Sequence, residues 1–150
     1  MKRLLGMVLL LGVGLTAQTP HAKSVQDILL ALKDSNAPRK ALSDQLVDRM
    51  MALAKRDVSR PMVERFSEDF TSALLGRDIT VVRASLMQKA ISDLLSGKGS
   101  NFEPASKLRD TLTSCGVAAS VVQAIVGRFI DIGQEIRGPD DLGILPKGLK

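Results

Sequence analysis

An all-α fold is what this sequence predicts: a compact bundle of five or six amphipathic helices with a central C-terminal helix. Three observations carry that expectation. From Ser24 onward apolar residues recur at i, i+3, i+4 and i+7, the period of one helix face. Cap and breaker residues (Pro38, Ser59, Pro61, Gly76, Thr80, Gly97, Gly99 and Pro104) punctuate the pattern at helix-length intervals. No stretch alternates apolar and polar residues as a half-buried strand requires.

The chain opens with Lys2 and Arg3, an uncharged apolar run from Leu4 to Leu15, and then Thr16-Ala17-Gln18-Thr19-Pro20-His21-Ala22. A short basic start, an apolar middle and a polar end with small residues is the layout of a secretory signal peptide. The run is shorter than the ~20 residues of a membrane span, and Gly6, Gly12 and Gly14 interrupt it. Residues 1–17 are therefore expected to be removed, with a cut after Ala22 as the other option. An uncleaved anchor and a buried N-terminal helix are the remaining readings of the run. The mature chain is expected to be periplasmic or secreted, with no stable membrane span. Its helical domain is expected over 18–137 and an irregular tail over 138–150.

The first helix presents Val25, Ile28, Leu29 and Leu32 on one face, and Asn36-Ala37-Pro38 ends it and opens the next. The second, from about Arg39 to Lys55, carries Leu42, Leu46, Met50 and Leu53, widened by Val47 and Ala54. Ser59 caps the third, Pro61 lies in its first turn, and Val63, Phe66, Phe70 and Leu74 form its apolar face. Glu64, Ser67, Glu68 and Ser72 fall on its other faces, and Gly76 suits its end. Asp78 or Thr80 caps the fourth, which carries Val82, Leu86, Ala90, Ile91, Leu94 and Leu95. Pro104 marks entry to the fifth, which runs through Leu108 and Leu112 to Cys115. The sixth, about Val117 to Ile136, is apolar over much of its girth, so neighbours are expected on several sides. Gly127 and Gly133 within it are expected to admit close approach by another helix. The segment Ala52–Ser59 is echoed by Ala73–Thr80, 21 residues later. Repeated units in a short superhelical stack would produce this echo, and so would equal helix lengths in a bundle.

Composition narrows the chemistry. The net charge is +5, and Lys2 and Arg3 leave with the signal, so the mature surface is mildly basic. Trp and Tyr are absent and Phe occurs four times, which leaves few faces on which a sugar or a base could stack. His21 is the only histidine, so no second one exists for a nucleophile–base pair or a His-rich metal site. Cys115, the one cysteine, cannot form an internal disulfide. It is read as a buried small hydrophobe, with an intermolecular disulfide or a reactive thiol as alternatives. No cofactor, metal site or catalytic constellation emerges, and no nucleic-acid partner is expected.

Four local patterns were weighed. Leu108 to Ile125, with Gly116-Val117 at the turn, resembles the helix-turn-helix of DNA-binding modules, but Leu112 occupies a position that usually holds a small residue. A helix–tight-turn–helix corner is the reading adopted. Glu68 followed by Ser85-Leu86-Met87-Gln88 resembles lytic transglycosylases, with Asp69 and Ser85 departing from that family's pattern. The resemblance implies a general acid at Glu68, with a raised pKa. Gly97-Lys98-Gly99-Ser100 lacks the leading glycine and the Lys-Ser/Thr pair of a phosphate loop. Asp140-Asp141 is too small a set for a calcium loop.

The reading these residues carry is an exported, non-catalytic helical protein that binds another protein or an anionic envelope component. Arg56, Arg60, Arg65 and Arg77, with Arg49, could line such a partner. Met50, Met51, Met62 and Met87 could form an adaptable binding face, though core filling is the simpler use. A periplasmic holdase-like chaperone is the alternative, followed by an envelope glycan lyase using Glu68.

Overall fold

The computed structural model describes the backbone of residues 23–142 and the side chains of 23–137. The expected signal peptide, its two cut sites, His21 and residues 143–150 lie outside the described residues. Six helices make up the rest: α1 Val25–Ala31, α2 Arg39–Leu53, α3 Arg60–Leu74, α4 Val81–Ser96, α5 Phe102–Ser114 and α6 Ala119–Leu142. There is no strand among the described residues, and the predicted all-α bundle is what forms.

Two antiparallel pairs, α2 with α3 and α4 with α5, build the body. α1 lies against α4 and α2, and α6 lies against α5 and α3, with lighter contact to α4. The last helix thus has neighbours on three sides. It shares the centre with α4, which touches α1, α2, α5 and α6. The buried residues of α6 (Val122, Ile125, Phe129, Ile132 and Ile136) form a single stripe, while Val121 is exposed and Val126 and Ile130 are half-covered.

Local chemistry sets the helix ends. The Ser24 hydroxyl accepts the Asp27 N–H and the Thr80 hydroxyl accepts the Arg83 N–H, each at 3.1 Å. Ser59 heads α3 without a side-chain cap, and the Glu135 carboxylate of α6 accepts its N–H. Gly76, at φ +75°, turns the chain so that its N–H reaches the Leu32 carbonyl at 2.8 Å, tying the end of α3 to the end of α1.

Helices α2 to α5 start at Arg39, Arg60, Val81 and Phe102, a constant step of 21. Val58 and Ile79, the matching residues of the sequence echo, both plug the core. In a stack each unit meets its chain neighbours, yet α3 and α4 barely touch and α3 packs on α6. The echo therefore belongs to a bundle whose four middle helices start at equal intervals.

Besides the Ser59 side-chain cap that does not form, five details differ from the sequence reading. Gly127 admits no close neighbour, since a Cβ there would meet nothing within 4 Å. On α4 the buried stripe is Ala84, Met87, Ala90, Ile91, Leu94 and Leu95, leaving Val82 and Leu86 66% and 42% exposed. Both sets have helical spacing. Docking of α1, pinned by the Gln26 N–H on the Gln88 side-chain oxygen at 2.9 Å, selects the first. Leu53 is exposed because α2 ends there. Ser67 is fully buried: its hydroxyl donates to the Ser43 carbonyl at 2.8 Å and lies 2.8 Å from the Ser43 hydroxyl. Small hydroxyls whose hydrogen bonds are met let α2 and α3 approach closely. Finally, α6 continues through Leu142 into the expected tail, with Gly138 and Pro139 inside the helix.

A groove between α3 and α6 as the candidate functional site

Phe66 and Phe70 of α3 stack with ring centroids 5.0 Å apart, and Phe66 meets Phe129 of α6 at 5.5 Å. All three are fully buried. Such pairs contribute ~0.5–1.5 kcal/mol each beyond their burial and join α3 to α6. Along this contact the two antiparallel helices leave a shallow groove. At one end it is lined by Ser59, Met62 and Asp131. Glu64, Arg65, Glu68, Asp69 and Arg128 line the middle. Ser72, Ala73, Ser120, Val121 and Ala124 line the other end. The depressions adjoin along the two helices: the first two share Arg65 and Arg128, and the last two share Asp69, whose ion pair with Arg128 separates them.

Charges divide the groove. Arg128 Nε meets Asp69 Oδ2 at 2.8 Å, bridging α6 to α3 with both side chains about two-fifths exposed. An ion pair so open contributes ~0–1 kcal/mol, so it orients the side chains more than it stabilises the fold. Glu68 pairs with Arg39 at 3.1 Å and Glu64 with Arg60 at 3.3 Å. Arg60 also holds Asp48 at 2.8 Å, and that hydrogen bond raises the guanidinium's already high pKa. Among the described residues, Arg65 and Asp131 make no ion pair within 4.0 Å. The far end carries no charge beyond Asp69.

The arginines singled out in sequence are not one cluster. Arg65 lies in the groove. Arg60 sits at the start of α3, engaged with Asp48 and Glu64. Arg56 gives its guanidinium to the Arg137 carbonyl at 2.9 Å, and Arg77 gives its own to the Ala73 carbonyl at 3.1 Å. Some 15 residues of α3, about 22 Å, separate the Arg60 end from Arg77. Arg49 is half-buried on α2. Of the methionines, Met50 and Met87 are fully buried and Met51 and Met62 half-covered, so only Met62 reaches the groove. Sequence reasoning missed Arg128, Asp69 and Val121 as groove residues. Arg128 and Val121 stood out only as a charge and an extra valine on a largely apolar helix, and Asp69 as one charge among several on α3, and none of these names a facing helix.

The other sequence candidates also find their places. Glu68 is half-exposed and paired with a guanidinium, whereas a general acid is tuned by an enclosed apolar setting. Gly116, at φ +92°, makes the α5–α6 corner, where the Val117 N–H returns to the Leu112 carbonyl at 3.2 Å. Cys115 is buried beside that corner, and burial pushes its thiol pKa up, which suits packing rather than nucleophilic attack. Among the described residues no three His, Cys, Asp or Glu side chains converge to hold a metal ion, and no helix is long and apolar enough to cross a membrane. No family model matches the chain, and neither a curated protein nor a solved structure matches it.

Proposed function

We propose that this is an exported, non-catalytic helical protein that binds another protein or an envelope component along the α3–α6 groove. The groove itself is the observation that supports this reading. Adjoining depressions run between two packed helices, with an Arg65 guanidinium that makes no ion pair among the described residues and exposed apolar surface at Val121. Binding residues placed on packed helices are held in position without ordering a loop. Export rests on the basic and apolar layout of residues 2–22.

The test is a crosslinked pull-down of tagged full-length protein from the native envelope fraction, with mass spectrometry of the eluate and of the bait. A bait lacking 17 or 22 N-terminal residues is expected. So is one dominant partner, lost in Arg65→Glu and kept in Arg77→Glu, a control at the far end of α3. A bait of full mass in the cytoplasmic fraction would remove export. Equal capture by both variants would remove the groove. Recovery of many unfolded envelope proteins would shift the reading to a holdase.

A further inference from the structure

We infer that the occupant of the groove is a segment of another polypeptide, with apolar side chains at one end and charges complementary to Arg65 and Asp131 at the other. The inference rests on the groove reading above and names the chemistry of its partner.

Two other partner chemistries fit poorly. Sugars are held by stacking on aromatic faces, but Phe66, Phe70 and Phe129 are fully buried, and Phe102, the one exposed ring, belongs to none of the three depressions. Phosphate-rich polymers and lipid headgroups need a surplus of cations. Here the carboxylates of Glu64, Glu68, Asp69 and Asp131 are matched in number by the guanidinia of Arg60, Arg39, Arg128 and Arg65, so no cation surplus remains. The paired groups leave little net field, because Glu64, Glu68 and Asp69 are already satisfied by Arg60, Arg39 and Arg128. What remains is one positive and one negative group near Met62 and Ser59, and beyond the Asp69–Arg128 bridge an uncharged stretch where Val121 is 41% exposed. A polypeptide carries both chemistries on one strand: an acidic side chain for Arg65, a basic one for Asp131 and aliphatic side chains for Val121 and Ala124. Complementary charges fix register, while apolar contact supplies affinity.

The probe is a displayed library of random twelve-residue peptides selected on the full chain, followed by titration of the best synthetic peptides. Enrichment of sequences that pair an acidic residue with an aliphatic cluster is expected. Their affinity should fall roughly tenfold or more in Arg65→Glu and be lost in Val121→Asp, with far-UV circular dichroism unchanged. Arg77→Glu should bind as wild type. Selection on Arg65→Glu should replace the acidic residue by a basic one. Failure to enrich any peptide, or enrichment of peptides indifferent to both groove variants, would overturn the inference. If the envelope pull-down meanwhile returns a glycan or lipid that depends on Arg65, the groove stands as the binding site and only its polypeptide partner falls. If nothing in either experiment depends on Arg65, both fall.

Discussion

Gly127 and Gly133 lie on the same helix, and alanine at the two positions should move stability in opposite directions. In a helix interior alanine is favoured over glycine by ~1 kcal/mol, because glycine loses more backbone freedom on folding. At Gly127 a Cβ would meet nothing within 4 Å, so Gly127→Ala should realise most of that gain, about 0.5–1 kcal/mol. At Gly133 the same atom would stand 2.6 Å from Leu94 Cδ1 and from Asn101 Oδ1, and 2.8 Å from Asn101 Cγ. The end of Leu94 can swing aside. Asn101 is less free, because its side-chain oxygen accepts Arg137 Nε at 2.8 Å. Overpacking of this kind costs ~1–3 kcal/mol, which exceeds the helix gain and leaves Gly133→Ala about 1 kcal/mol less stable than wild type. For a domain of this size each kcal/mol moves the melting temperature by roughly 3–5 °C. Thermal and urea melts followed by circular dichroism read both variants. A Gly133→Ala protein melting at or above wild type would refute the packing of α6 against Leu94 of α4 and against Asn101. A Gly127→Ala protein melting below wild type would refute the open face of α6.

Further outcomes follow from the same structure. Ser67→Ala leaves the buried Ser43 hydroxyl without its partner and should cost about 1–2 kcal/mol in urea melts, whereas the Ser43→Ala, Ser67→Ala double variant should cost less than the sum of the two singles. Ile79→Ala removes a fully buried plug between α3 and α4 and should cost about 2–4 kcal/mol; a smaller loss would mean that the turn can collapse onto the gap. Cys115, with its thiol pKa raised by burial, should react with a thiol reagent only as fast as the chain opens. Because the folded pKa lies above the unfolded one, its contribution to stability is complete below the unfolded value, about 8.5, and is lost as pH rises through the folded value. Cys115→Ala should remove that part of the alkaline decline, as measured by urea melts across pH. Glu135→Ala strips the cap from the Ser59 N–H and should cost about 0.5–2 kcal/mol, whereas Asp69→Asn, at an open ion pair, should cost under about 1 kcal/mol.

Much of the fold was legible because its signals are local. Val25, Ile28, Leu29 and Leu32 declared a face and are all buried, and Thr80 announced a helix start that its hydroxyl caps. Where two stripes of one helix have equal spacing, periodicity has no preference. On α4 the spacing of Val82 and Leu86 suits a buried face as well as that of Ala84 and Met87, and α1 covers the latter pair. A lone serine among charged residues reads as surface, and Ser67 is interior because Ser43 of another helix meets it.

The order of these elements, the Ser24 and Thr80 caps and the helical period throughout the described residues are properties of the chain by itself, set by interactions across three or four residues. The groove is not. It exists because α3 packs on α6, a helix that begins 59 residues after α3 does, and not on α4, its successor. That choice set Arg65 and Asp131 side by side in one depression, placed Arg128 on Asp69 and carried Arg77 to the far end. Which faces meet is decided by the shapes of whole helices competing to bury their apolar stripes, and no window of sequence contains that competition.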